Sequence, residues 1–134
     1  MRFMVIVKSN GECATSAAPD NDFVAAMRKF NDELTAAGVM LAIEGLHPVS
    51  EGVRAHVAAG KWKTSDGPFA ETKEVVGGYW LWEVGSRDEA IAWLKRCPIS
   101  PHGDAEIELR EVLATEAFAA KLAPAYVRRE TAHV

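Results

Sequence analysis

The sequence predicts an α+β fold in which two β-α-β units share one sheet, the split βαβ arrangement of the ferredoxin-like fold. Two apolar runs rich in β-forming residues, 3–7 and 79–84, each precede a segment with helical spacing of apolar residues. A further strand pattern follows each helix, and a hairpin pattern lies between the units. The 134 residues, 49% hydrophobic and 25% charged, fit one globular domain.

The first unit begins with a strand at 3–7, whose near-continuous apolar run is typical of a strand covered on both faces. A polar loop follows, and Asp20 and Asn21 offer capping oxygens for a helix. Gly38 stands where a glycine ends such a helix. Apolar residues recur between these points at spacings of three and four: Phe23, Met27, Phe30 and Leu34. They predict an amphipathic helix.

A second strand is predicted at 39–46, ended by His47 and Pro48. Residues 53–57 then alternate between apolar and polar side chains, Gly60 marks a turn, and 61–64 form a second strand pattern. This pattern predicts a β-hairpin attached to the main sheet.

The second unit opens with the aromatic strand at 77–84, which has apolar side chains on both faces. Ser86 and Glu89 form a capping box, so a helix is expected from there to Pro98. The last strand, 105–112, alternates between apolar and charged residues, as an edge strand does. The first and third main strands are therefore predicted to be central.

Two helices can cover only one face of a four-stranded sheet. Trp80 and Trp82 are expected on the other face, where a soluble monomer would not leave such large apolar side chains exposed. A homodimer, with two sheets facing each other around a shared cleft, would bury them. The alternative is that the hairpin at 53–64 folds over that face.

The charge balance excludes some classes of partner. With 19 acidic and 15 basic side chains, the net charge of −4 argues against direct nucleic-acid binding and against an anionic membrane surface. The longest apolar run is too short for a membrane span or a signal peptide, so a cytoplasmic protein is expected. Cys13 and Cys97 lack metal-ligand spacing, and Gly77-Gly78 lacks the dinucleotide pattern, so no metal or cofactor is predicted.

The most distinctive segment is 64–74. Asp66 can accept hydrogen bonds from backbone amides, Gly67 permits close backbone approach, and Pro68 fixes φ. Phe69 is an apolar residue on an otherwise polar loop. Charged residues follow, among them Glu71 and Lys73. The spacing alone indicates a rigid turn that presents one carboxylate. The alternative is that the turn only redirects the chain between the hairpin and the next strand and has no functional role.

The motif SDGPFAETKE, followed by GGYWLWEV, SRDEAIAWLKRCP and AEIELREV, resembles the DGPF-motif branch of the YCII-related proteins. The resemblance runs from Arg2 to about Val112 and includes the upstream EGLHP. It implies a ferredoxin-like subunit that forms a dimeric α/β barrel, with the DGPF turn in the cleft. It implies no known reaction. Some members are encoded beside extracytoplasmic-function sigma factors, which suggests a sigma-factor link. The predicted domain is 1–114, and 115–134 form a tail, expected to be a short helix packing on the domain or the dimer partner.

The resemblance also bears on catalysis. The YCII-like branch is thought to use a histidine on the first helix with an aspartate near a Gly-Pro turn. Helix 20–37 contains no histidine, so only Asp66 can be carried over. His47 is the candidate acid-base partner of Asp66; the alternative is a solvated residue at a strand end. Glu44 is either a buried acid or an outward-facing strand residue. The candidate binding residues are Glu44, Gly67, Pro68, Phe69, Glu71, Lys73, Trp80 and Trp82.

Two functions from different classes follow. The first is a cofactor-independent, dimeric protein that binds or transforms an unidentified small molecule in a cleft around Asp66; proton transfer of the isomerase type is the concrete reaction, by analogy of fold. The second is a non-catalytic interaction module. A pocket with convergent polar groups would favour the first, and a cleft filled by tryptophans would favour the second.

Overall fold

A computed structural model describes residues 1–9, 20–69, 75–99, 101, 105–114 and 116. Its elements, in chain order, are β1 (Arg2–Ser9), α1 (Asn21–Ala36), β2 (Met40–Gly45), a 3-10 turn (Val49–Glu51), β3 (Val53–Ala58), β4 (Lys61–Asp66), β5 (Val75–Glu83), α2 (Arg87–Leu94) and β6 (Glu106–Glu111). The predicted order of elements is confirmed. The predicted tail at 115–134 lies outside the described residues apart from Glu116.

The main sheet has the strand order β2-β5-β1-β6, with antiparallel neighbours throughout. The first and third main strands, β1 and β5, are central, and β2 and β6 are the edges, as predicted. An antiparallel sheet of this order with two helices is compatible with a ferredoxin-like fold.

Both helices begin where the sequence predicts. The Asp20 carboxylate accepts a hydrogen bond from the Phe23 backbone N–H at 2.9 Å, and Gly38 follows α1 with a φ of +72°. At α2, the Ser86 hydroxyl accepts from the Glu89 N–H, and the Glu89 carboxylate accepts from the Gly85 N–H. Neither of these two helices, nor any other described one, is long and apolar enough to cross a membrane.

The core lies between the sheet and the helices, and it contains Trp80 and Trp82. Phe30 of α1 meets both indoles edge to face, with ring centroids 6.1 and 6.3 Å away. The prediction that these tryptophans lie on the face without helices is therefore wrong. The alternation of side chains along β5 shows that Trp80 and Trp82 lie on the same face of the sheet. It does not show which face the helices cover, because β5 carries large apolar residues on both faces.

The other face of the sheet, here called the open face, has an apolar centre formed by Met4, Ile6, Tyr79 and Leu81. Strand alternation places these residues opposite the core residues, and the β1–β5 register pairs Met4 with Leu81 and Ile6 with Tyr79. Charged residues surround this centre, including the Lys8–Glu108 ion pair at 3.2 Å. The sheet thus has a face without a described helix, as predicted, but the apolar residues on it are not the predicted tryptophans. The homodimer stays a prediction.

The hairpin β3–β4 is a separate two-stranded sheet that pairs with no described strand of the main sheet. The prediction that it is attached to the main sheet is therefore wrong. The 3-10 turn at Val49–Glu51 lies between the end of β2 and the start of β3, and it redirects the chain before the hairpin begins. In β3 and β4, every residue but Ala58 is exposed.

Candidate functional site

A pocket of about 190 Å³ opens at the end of the sheet where β2 finishes and β5 begins. We call it the glycine pocket. Its lining consists of Val7, Ile43, Glu44, Gly45, Gly77, Gly78, Tyr79 and Trp80. The register aligns Val7 with Gly78 and Gly78 with Gly45, so three strands meet at its floor. Most of its lining atoms are apolar.

Glycines form the floor for two different reasons. A Cβ on Gly78 would lie 2.7 Å from the Glu44 carbonyl oxygen, so β2 and β5 approach this closely only because the side chain is absent. A Cβ on Gly45 would meet nothing within 4 Å, because it would point into open space. Gly77 is the extra residue at the register shift beside Val7, and its carbonyl accepts from the Leu46 N–H.

Trp80 is the aromatic wall of the pocket, and its orientation is fixed. Its indole N–H donates to Asn31 Oδ1 at 2.9 Å, and Phe30 packs edge-on against its ring. Trp82, two residues further along β5, is fully buried and does not line the pocket. Its indole N–H has no hydrogen-bond partner in the described part of the chain. Of the two predicted tryptophans, the structure brings only Trp80 to the pocket.

The DGPF turn holds the base of the hairpin. The Gly67 N–H donates to the Gly52 carbonyl at 2.8 Å, and a Cβ on Gly67 would collide with the Val49 carbonyl oxygen. The Gly67–Pro68 peptide is cis. Gly67 therefore serves the close approach of two backbone segments, as its position in the motif predicts.

Phe69 packs on the hairpin as well. The Arg54 guanidinium lies 3.9 Å from the centroid of the Phe69 ring, a cation-π geometry. Asp66 is the last residue of β4 and is exposed. Asp66 is thus held by its strand pairing with Val53 and by the Gly67–Gly52 hydrogen bond that follows it, while its side chain is exposed.

The structure pairs His47 with Glu51. The Nδ1 atom of His47 lies 3.4 Å from a carboxylate oxygen of Glu51, and both side chains are exposed. No hydrogen bond or ion pair joins His47 to Asp66, two residues that are both described. Glu44 is exposed and pairs with Tyr79, which places its side chain on the open face and leaves its backbone at the pocket.

Two predicted site residues, Glu71 and Lys73, lie outside the described residues. In sequence they stand four and two positions before Val75, the first residue of the strand that supplies part of the pocket floor. Within the described ranges, no three histidine, cysteine or acidic side chains come together as a metal site. Burial raises the pKa of the Cys97 thiol above its ordinary value, which suits a packed side chain rather than a nucleophile.

Several pocket residues are absent from the sequence-based list. They are Val7, Ile43, Gly45, Gly77, Gly78 and Tyr79. The signal for some of them was present, since Gly77-Gly78 interrupts the start of the most aromatic strand, where glycine weakens a strand unless close approach requires it. Val7 and Ile43 carry no such signal, because they read as ordinary core positions.

A family model described as the YCII-related domain matches residues 1–114. The chain is also similar to an uncharacterized protein of Rhizobium meliloti (strain 1021), with 33% identity over 85 residues, covering 61% of this chain and 68% of that protein.

Proposed function

This chain belongs to the YCII-related family, and we propose that it binds a small, largely apolar organic molecule in the glycine pocket. The observation that carries the proposal is the pocket itself: a floor without side chains beside one rigid aromatic wall. Apolar concavities of this kind are the usual form of small-molecule sites. Val7 and Ile43 flank the ligand, and the small exposed part of the Trp80 ring contacts it.

The size of the pocket narrows the ligand class. Enclosed apolar cavities of about 150 Å³ accept a benzene ring, and this pocket measures about 190 Å³. A single aromatic ring with one or two small substituents, or a short branched aliphatic acid or alcohol, fits that volume. A dinucleotide or a fused polycyclic molecule does not. The open side of the pocket leaves room for a polar substituent to remain in water.

Acid-base chemistry on the bound molecule is the finer form of this proposal, with Asp66 as the carboxylate. Two observations support it. Gly67 and Phe69 fix the turn that carries Asp66, and Gly67 packs on the 3-10 turn that begins four residues after Gly45 of the pocket floor. The turn that carries Asp66 therefore packs on the segment that directly follows the pocket strand β2. His47 is engaged with Glu51, so Asp66 acts without it.

Calorimetric titration with p-cresol tests the binding proposal. A ligand of this size gains about 4 kcal/mol in an apolar pocket, which corresponds to a Kd of about 1 mM. Gly45→Leu fills the open space above the floor without a backbone clash and abolishes binding, while Gly45→Ala leaves most of the space and binds about as the parent does. Equal binding by the parent and Gly45→Leu contradicts the proposal.

Mass spectrometry of small molecules that co-purify with the protein identifies the natural ligand, with Gly45→Leu as the matched control. Any compound retained by the parent and lost from the variant is then offered as a substrate to Asp66→Asn. If Asp66 is the catalytic base, turnover falls about 100-fold or more while binding is retained. If Asp66→Asn turns the compound over as fast as the parent does, Asp66 is not the catalytic base. The proposal is then reduced to binding.

A non-catalytic interaction module is the second candidate function. The observation in its favour is the exposure of large apolar residues on the hairpin, including Trp62 at 73%. A sigma factor as the partner stays a prediction drawn from the resemblance alone. The two functions are compatible, because the hairpin and the glycine pocket are formed by different residues.

A further inference from the structure

The hairpin β3–β4 has two chemically different faces. Cross-strand pairing places Val57 opposite Trp62 and His56 opposite Lys63, so successive pairs point to opposite sides. One side, here called the ribbon face, carries Val53, Val57 and Trp62, which are all exposed. The other side, here called the basic face, carries the cationic and titratable residues of the hairpin: Arg54, His56, Lys61 and Lys63. The chain has a net charge of −4, yet no acidic residue lies at positions 53–65, so positive charge is concentrated on the basic face.

The outer edge of β4 offers backbone groups to a further strand. The two-residue turn at 59–60, with positive φ at both positions, makes Ala58 and Lys61 a hydrogen-bonded pair. Hydrogen-bonded and non-hydrogen-bonded pairs alternate from there, so the backbone N–H and C=O groups of Trp62 and Thr64 point away from β3. Within the described ranges, no strand pairs with this edge. It can therefore accept a strand that comes from elsewhere.

Two exposed lysines flank Trp62 along this edge. Lys61 and Lys63 belong to the basic face, and neither forms an ion pair with another described residue. Lysines on an edge disfavour the addition of an apolar or a basic strand, because the added side chains would lie beside their charges. A strand with acidic residues at the facing positions neutralises both lysines instead. The edge is thus selective for charge.

A third strand also supplies what the hairpin lacks. An isolated two-stranded hairpin is at best marginally stable in water, whereas three strands that share an apolar face reach independent stability. Because side chains alternate along a strand, an apolar residue between two acidic ones lies beside Trp62 on the ribbon face. The base of the hairpin is already held, since the Gly67 N–H donates to the Gly52 carbonyl. The edge of β4 is therefore in place before a partner arrives.

We propose that the outer edge of β4 binds an extended segment of a partner protein as a third strand, in which acidic residues alternate with apolar ones. The acidic side chains face Lys61 and Lys63, the apolar ones lie beside Trp62, and the backbone pairs with Trp62 and Thr64. Main-chain hydrogen bonds give such complexes their affinity, and the alternate side chains give them their specificity. The inference rests on the interaction-module function and is independent of the glycine pocket.

Fluorescence anisotropy of a labelled peptide tests the proposal on the full chain. The probe has about seven residues, enough to span β4, and alternates glutamate with valine. Saturable binding is expected, and Lys61→Glu with Lys63→Glu raises the Kd about 30-fold, because two attractions become repulsions. The matched control reverses two exposed lysines of the helical layer, Lys29→Glu with Lys95→Glu, and binds as the parent does although its net charge has changed equally.

Substitutions at Thr64 separate strand pairing from charge attraction alone. Thr64→Pro removes the outward N–H but no hydrogen bond between β3 and β4, and it raises the Kd about 10-fold. Thr64→Val keeps the N–H and retains binding. The amide of Lys63, which bonds within the hairpin, reports whether the ribbon is intact in each variant. Hydrogen exchange adds a direct measurement on the parent: the Trp62 and Thr64 amides exchange rapidly in the free chain and are protected once the peptide is bound.

Several results overturn the proposal. They are equal binding of a valine–lysine peptide, unchanged binding after reversal of Lys61 and Lys63, equal binding by Thr64→Pro and Thr64→Val, and protected Trp62 and Thr64 amides in the free chain. The last result means that the chain covers this edge itself. Binding to phosphatidylserine vesicles without binding of the peptide also overturns it, and assigns the basic face to a membrane surface.

Titration with p-cresol on the chain with Lys61→Glu and Lys63→Glu keeps the ligand proposal separate. This variant is expected to lose the peptide and to bind p-cresol as the parent does, because the two lysines do not line the glycine pocket. Failure of p-cresol to bind either chain contradicts the pocket proposal alone, and failure of the peptide to bind the parent contradicts the strand proposal alone.

Discussion

The main sheet and the hairpin β3–β4 use the same kind of residue to opposite effect. Trp82 of β5 is fully buried between sheet and helices, whereas Trp62 of β4 is 73% exposed. Both stand in antiparallel strands, although Trp82 follows an apolar run and Trp62 lies between two lysines. The difference is the layer above them: α1 places Phe30 against Trp82, and no described element lies over Trp62. A strand pattern therefore predicts which residues share a face and leaves open what covers it.

The largest expected effect concerns these two tryptophans. Trp82→Ala removes a fully buried indole from the core and lowers the free energy of unfolding by about 4 kcal/mol. Trp62→Ala, measured by urea denaturation at a protein concentration where the chain is monomeric, changes it by less than about 0.5 kcal/mol. A comparable loss in both variants would contradict the contrast, because it would mean that Trp62 belongs to the folded core of its own chain.

A second contrast compares two glycines. Gly67→Ala drives a Cβ into the Val49 carbonyl oxygen and destabilises the hairpin base by about 3 kcal/mol. Gly45→Ala meets open space in an extended strand and costs less than about 0.5 kcal/mol.

Hydrogen exchange of the β3–β4 amides is the measurement for this pair. Gly67→Ala accelerates exchange in the hairpin and spares β1 and β5, since the clash is confined to the junction between the hairpin and the 3-10 turn. Unchanged protection in β3–β4 would mean that Gly67 does not hold the hairpin.

The smallest expected effect is the reactivity of Cys97. Because burial raises the pKa of its thiol, less thiolate is present at a given pH in the folded chain than in the unfolded one. Alkylation by iodoacetamide, followed in a Cys13→Ser background, is therefore slower in the folded protein, and its pH profile shifts upward. The stability that the protonated thiol contributes is present below its ordinary pKa and lost as pH rises through the raised value. If alkylation of Cys97 had the same pH profile in the folded and the unfolded chain, the thiol would be solvent-exposed and the prediction would be wrong.

Much of the fold follows from the sequence because its signals are local. Asp20, the Ser86–Glu89 capping box and Gly38 set the helix limits through hydrogen bonds and backbone angles that involve only near neighbours. The charged alternation of β6 predicts its edge position. The geometric role of Gly67 also follows from its motif, since the tight turn requires close backbone approach.

The site is harder to predict because it depends on contacts between distant segments. Gly45 and Gly78 are 33 positions apart, yet they are paired neighbours on the pocket floor. The asparagine that orients Trp80 lies on α1, and its polar character reads as solvent-facing in the helix pattern. Whether Trp80 and Trp82 lie in the core depends on which face of the sheet the helices cover. No residue within β5 determines that face. The family assignment is confirmed, whereas the finer DGPF branch stays a prediction.

The central claim is that the glycine pocket binds a single-ring molecule. Its most direct test is a titration of the ¹⁵N-labelled chain with p-cresol, followed by amide and indole resonances. The account predicts saturable shifts at Val7, Gly45, Gly78 and the Trp80 indole N–H, with the Trp62 indole N–H unmoved, and loss of all of them in Gly45→Leu. Shifts that map to the hairpin instead, or that persist unchanged in Gly45→Leu, would contradict it.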